Sequence, residues 1–271
     1  MLSAIFRSVP VAYVKWDMNR SLTEIGSAAA PPERQGEIAH RHMLGVYELM
    51  ERLTGEFPHI LFESCSSGGG RFDPGMLYYM PQTWTSDNTD AVERLKIQYG
   101  TSLVYPASAI GAHVSAVPNH QVGRVTPLKM RGDVAMSGNF GYELDLTKFT
   151  DEEKEEVKRQ VALYKSIRPI VQQGELYRLL SPFEGNETAW MFVTEDRSEA
   201  LLFYFKVLAE PHMPKKRLRL KGLDPQRDYA VEGFGTFGGD RLMHAGLAFQ
   251  VPPGDHFSLV VRLRDAAGGK G

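Results

Sequence analysis

The stretch VAYVKWDMNR, residues 11–20, sets a lysine and an aspartate two residues apart behind an apolar run. Alternate side chains of a β-strand share a face, so Lys15, Asp17 and Asn19 should point to one side and Trp16 and Met18 to the other. A second aspartate, Asp87, follows another short apolar run in TWTSDNTD. Two carboxylates at strand ends can divide the work of glycoside hydrolysis, one ionised and attacking, the other protonated and donating to the leaving group. Strands separated by one neighbour lie roughly 10 Å apart. Side chains leaning inward across a curved sheet would close that to the ~5–5.5 Å of a retaining pair. Lys15 would keep Asp17 ionised and offer a hydrogen bond to a sugar hydroxyl. Asp87, flanked by Thr85, Ser86 and Asn88 with Trp84 near, would need partial desolvation to serve as the acid. The residues alone equally allow an ion pair between Lys15 and Asp17 and a helix-capping role for Asp87.

Other candidates carry less. SCSSGGGRFD lacks the Lys-Ser/Thr ending of a phosphate-binding P-loop and does not match G-x-G-x-x-G. Its three consecutive glycines suit a backbone that a sugar approaches closely, or a flexible turn. Cys65 has no evident histidine partner in sequence and is not read as a nucleophile. His40 and His42 stand two apart on an expected helix and do not share a face, which argues against a metal site. His113 and His120 flank an expected strand end, where a pocket-lining and a structural role are both open. Trp16 and Trp84 suit either a core or a platform for a sugar ring.

The elements that must hold these groups alternate. Short apolar runs at Val11–Trp16, Ile60–Glu63, Thr83–Ser86, Ile110–Val114 and Phe140–Leu144 are separated by helical patterns, the order of a parallel sheet with crossover helices. One helix is expected between the first two strands, ending near Gly55 and Pro58. Another starts at Asn88 or Thr89 and stops near Gly100. The longest has Thr150 as N-cap, Glu153 at the capping-box position, acids in its first turn and Pro169 near its end. After about Gly174 the texture changes to closely spaced strand-like runs broken by Gly, Pro, Asn and Asp, which reads as a small antiparallel β domain ending in a loose tail, DAAGGKG. The expected domains are therefore 1–173 and 174–271. Five β-α units are too few for a closed (β/α)8 barrel, which takes about 250 residues by itself. Further barrel sequence is expected before Met1.

Composition sets the class. The 271 residues are 42% hydrophobic and 24% charged, with 31 basic and 33 acidic side chains and a formal net charge of −2. That is a globular chain without the basic stripe of a nucleic-acid binder. One cysteine excludes an internal disulfide framework and a cysteine-rich zinc site, and suits a reducing compartment. No apolar run approaches the ~18 residues of a membrane span, and Arg7 and Pro10 break the N-terminus as a signal peptide. A cytoplasmic location is expected.

YVKWDMNR, ESCSSGGGRFD, WTSDNTDAVERLKIQYG and GNFGYELDL, in this order, resemble the C-terminal half of bacterial α-galactosidases of glycoside hydrolase family 36. The resemblance covers nearly the whole chain. It implies the C-terminal part of a (β/α)8 TIM barrel, about five β-α units, followed by a small antiparallel β-sandwich. It also implies Asp17 as the nucleophile forming a β-galactosyl intermediate and Asp87 as the general acid/base. Lys15 and Asn19 would bind galactose hydroxyls, Cys65 and Gly68 would line the same subsite, and Trp84 would lie close to the sugar. Terminal α-galactosides such as melibiose and raffinose-type oligosaccharides are the implied substrates, with no metal or cofactor, no nucleic acid or membrane partner, and room for a homo-oligomer. The first domain of the family and the first three barrel strands, with their Trp-x-Asp-Asp segment, are not in this sequence. The alternative expectation is therefore a truncated, inactive fragment or a half-barrel completed by a partner.

Overall fold

The computed structural model describes residues 1–19, 23–211 and 215–269. Arg20, which ends the first motif, and the last two residues of the expected tail lie outside the described residues. The chain divides into two compact units, Met1–Asp87 and Asn88–Gly271.

The first unit runs α1 (Leu2–Ser8), β1 (Tyr13–Asp17), a 3-10 turn (Pro32–Glu37), α2 (Ile38–Glu56), β2 (Leu61–Cys65), α3 (Pro74–Tyr79) and β3 (Gln82–Trp84). The strands are parallel, with Lys15 opposite Glu63 and Asp17 opposite Cys65 on β1 and β2, and Glu63 opposite Gln82 on β2 and β3. Alternation along β1 does what the pattern demands. Val14, Trp16 and Met18 pack on a core of Met50, Leu53, Phe57, Phe62, Met76 and Met80, while Lys15 and Asp17 face the exposed side. Pro58 disfavours helical backbone at the residue before it, and α2 stops at Glu56 with Phe57 as its C-cap. Strand β2 runs two residues further than the apolar run suggests, to Cys65. The polar side chains of its last turn hid that extension.

The second unit continues with α4 (Ala91–Thr101), β4 (Ile110–Ser115), α5 (Leu128–Ala135), β5 (Asn139–Glu143) and α6 (Asp151–Gln173). Strands β4 and β5 are parallel, so β-α wiring persists across both units. Helix α4 begins later than Asn88 or Thr89 because its cap is Asp90, whose carboxylate accepts from the N–H groups of Val92 and Glu93. The capping box of α6 forms as expected from Thr150 and Glu153. Helix α5 is buried almost throughout, so it shows no one-sided apolar period for a sequence reader to find.

Among the described residues eight strands and one short α-helix follow: β6 (Glu175–Leu180), β7 (Glu187–Val193), β8 (Glu199–Lys206), β9 (Lys216–Leu218), β10 (Asp228–Val231), β11 (Gly235–Gly238), α7 (Gly239–His244), β12 (Leu247–Phe249) and β13 (Phe257–Asp265). Six form one antiparallel sheet in the order β11-β10-β13-β8-β7-β6, and β9 pairs with β12 as a separate ribbon. Strands β7 and β8 are apolar on both faces, and the packing says why. Trp190, Phe192, Leu201, Phe203 and Phe205 meet α4, α5 and α6, while Met191, Leu202 and Tyr204 meet the ribbon residues Leu218, Leu247 and Phe249. A strand covered on both sides has no polar face to alternate with.

Candidate active site

All seven candidate residues lie in the first unit, on or just beyond the C-terminal ends of its three strands. Asp17 is the last residue of β1 and stands opposite Cys65, the last residue of β2. The Met18 N–H donates to the Cys65 carbonyl at 2.9 Å, which ties the two strand ends together. Burial pushes the Cys65 thiol above its ordinary pKa. The Gly68 N–H and the Lys15 charge oppose that rise, and the thiol's hydrogen bond to the Asp17 carboxylate adds to it. Cys65 is thus a buried thiol whose pKa is raised chiefly by burial, which argues against a nucleophilic role.

One step down the barrel side of the strands, the Lys15 ammonium lies over the Trp84 ring, 5.1 Å from its centroid. Among the described residues Lys15 enters no ion pair, so the bland reading of a strand-end salt bridge is not realised. A cation on an aromatic face keeps its charge available to a ligand while the ring shields it from water. Trp84 is 2% exposed. Below this pair lies a polar layer that sequence reasoning missed. The Tyr13 hydroxyl donates to the Glu63 carboxylate, and Gln82 Nε2 donates to Glu63 Oε2 at 2.8 Å. The alternation Tyr13, Lys15, Asp17 beside Leu61, Glu63, Cys65 held the signal, once β2 is allowed to reach Cys65.

The glycine run answers a need for close approach. Ser66 N–H donates to Gly68 O at 2.8 Å, closing a tight turn, and Gly69 N–H donates to Thr85 O at 3.2 Å. Gly68 has φ +83°, and a Cβ there would sit 2.6 Å from Ser86 Cα and 3.1 Å from Asp87 N. Only a glycine fits both the backbone conformation and the contact. The loop after β2 thus braces the backbone leading to Asp87, which is exposed three residues beyond β3. The helix-capping alternative for Asp87 does not hold, since Asp90 caps α4. Asn19 lies against the same loop, its Oδ1 accepting from the Ser67 N–H at 2.6 Å. Of the histidines singled out above, His113 pairs with Glu143 at 3.3 Å in the second unit, away from these strand ends in sequence.

No helix among the described residues is long and apolar enough to cross a membrane. The melibiase family model matches residues 1–174, and the model of the glycosyl hydrolase family 36 C-terminal domain matches residues 187–263. Over 97% of its length the chain is 69% identical to α-galactosidase AgaA of Geobacillus stearothermophilus, of which it covers 36%. Crystal structures of two doubly substituted forms of that enzyme, one with raffinose and one with stachyose, match with a TM-score of 0.96 and 68% identity. The match covers 98% of this chain and 37% of each of those. The chain thus spans little more than a third of the length of these relatives, and its fold is that of a (β/α)8-barrel portion with an antiparallel β region.

Proposed function

The chain belongs to the melibiase family, glycoside hydrolase family 36, and on that premise we propose that it carries the catalytic carboxylates and part of the galactose subsite of a retaining α-galactosidase. Asp17 attacks the anomeric carbon as Asp87 protonates the departing glycosidic oxygen, giving a β-galactosyl ester on Asp17. Asp87, now ionised, takes a proton from water, and the water opens the ester with return to the α configuration. Lys15 and Asn19 hold ring hydroxyls, Cys65 and Gly68 line the floor, and Trp84 backs the sugar. The substrates are terminal α-galactosides of the melibiose and raffinose kind. The reading needs no metal or cofactor.

The observation that carries it is the strand-end cluster: Asp17 paired with Cys65, Lys15 over Trp84, and the Gly68 turn set against the Asp87 backbone. A further support comes from the two sugar-bound relatives. Each replaces one aspartate, and the two replaced positions are separated along the sequence by the same interval as Asp17 and Asp87. Domain limits of 1–173 and 174–271 belong to the same proposal and are supported by the extents of the two family models. A reducing, cytoplasmic setting suits its one buried cysteine. The coverage of 36% of a full relative favours a second reading, in which the chain works only when further barrel strands, from the same or another polypeptide, complete the sugar site.

The test is hydrolysis of p-nitrophenyl α-galactoside by the purified chain, its Asp17→Ala and Asp87→Ala forms, and each with added azide. Both substitutions should cost at least about a hundredfold in kcat. Azide should yield β-galactosyl azide from Asp17→Ala and α-galactosyl azide from Asp87→Ala, because the nucleophile and the acid/base fail at opposite faces of the sugar. Unchanged turnover in either variant rejects the assignment. A folded but inactive wild-type chain supports the completed-barrel reading.

A further inference from the structure

The loops at the ends of β1 and β2 hold the Asn19 side chain more tightly than its exposed setting suggests. Ser67 adopts φ +48°, a left-handed conformation that is unfavourable for a residue with a Cβ. That conformation directs its backbone N–H to Asn19 Oδ1 at 2.6 Å, with the Ser67 hydroxyl at 3.4 Å from the same oxygen. The turn is itself anchored, since Ser66 Oγ donates to the Met18 carbonyl at 2.6 Å. A backbone N–H can only donate. Whichever way a carboxamide is first drawn, the atom facing that N–H has to be the oxygen. The nitrogen is then the atom turned away from the loop, and among the described residues Nδ2 has no protein partner.

We propose that Ser67 is a positioning residue that locks Asn19 as a hydrogen-bond donor to a galactose hydroxyl oxygen. The proposal rests on the reading above that Asn19 lies in the galactose subsite. A freely turning amide offers its oxygen as readily as its nitrogen and can accept the hydroxyl proton. The locked amide takes only the hydroxyl's lone pair, which leaves the hydroxyl proton to be donated elsewhere. The contact therefore selects for a ring substituent with a lone pair in a fixed direction.

The unmodified chain, labelled with ¹⁵N and ¹³C, allows the lock to be read without any turnover. A scalar coupling across the hydrogen bond, from the Ser67 amide nitrogen to Asn19 Cγ, should be present in the free chain. Galactose should then shift the Asn19 side-chain NH2 protons. Asn19→Asp keeps the shape and the acceptor for Ser67 but replaces the outward donor by an acceptor. It should weaken galactose binding about fivefold or more, as loss of one hydrogen bond worth on the order of 1 kcal/mol requires. A missing coupling overturns the lock. Galactose binding by Asn19→Asp at wild-type strength, with Asn19→Ala weakened, overturns the donor role. If galactose shifts no resonance at either strand end while the coupling persists, the sugar contact falls and with it the functional reading of Asn19, although the amide orientation stands.

Discussion

Cys65 illustrates how a single side chain reports on its neighbours. Its thiol is pushed up chiefly by burial, and the nearby Asp17 carboxylate adds to the rise by like-charge repulsion of the thiolate. Two consequences follow at neutral pH. Alkylation of the native chain by iodoacetamide should be slow and should accelerate only in alkaline buffer. Asp17→Asn removes the neighbouring charge, so the thiol pKa should fall and alkylation near pH 8 should quicken severalfold. Equal rates in the two proteins would show that the two groups do not interact. The spacing of Lys15 and Asp17 was legible because a strand's two-residue period acts within five residues. The contacts of Asn19 with Ser67 and of Lys15 with Trp84 were not, because they join residues about fifty or more positions apart in sequence.

Among the elements, the loop after β2 and helix α6 make a contrast between contact and local chemistry. Gly68→Ala would place a methyl group 2.6 Å from Ser86 Cα on a backbone at φ +83°. It should cost about 2 kcal/mol or more, seen as a lower denaturant midpoint. It should also reduce turnover or galactose binding beyond the stability loss, because the displaced backbone leads to Asp87. Thr150→Ala breaks a capping box whose Glu153 N–H donates to Thr150 Oγ1 at 3.2 Å. About 1 kcal/mol of stability should go, with sugar binding by the folded protein unchanged. The cap could be read from four residues because all its partners lie in one turn. The glycine run left two readings open, since what the loop leans on is the backbone of residues 85–87 just past β3.

At the level of the whole molecule, stability should carry a pH signature from a carboxyl group remote in sequence from the site. Asp133 on α5 accepts from Ser258 Oγ of β13 at 2.6 Å and pairs with Lys129. Burial nevertheless outweighs both partners and raises its pKa. A raised acid holds its proton more firmly folded than unfolded, so its favourable contribution is full below the ordinary carboxyl value and fades as pH climbs through the raised one. Thermal melts should show wild type losing stability relative to Asp133→Asn as pH rises above the ordinary carboxyl range, and a constant difference would reject this. The linear chain by itself determined the β-α alternation, the change of texture near Gly174, the capped long helix and the two aspartates at strand ends. Each of these is written in periods or motifs of a few residues. Tertiary structure alone decided that β7 and β8 are buried on both faces, that α5 exists, that Asp90 and not Asp87 caps α4, and that Glu63, Tyr13 and Gln82 form a layer beneath Lys15. Those features depend on which surfaces meet, and burial between surfaces far apart in sequence leaves no local period to read.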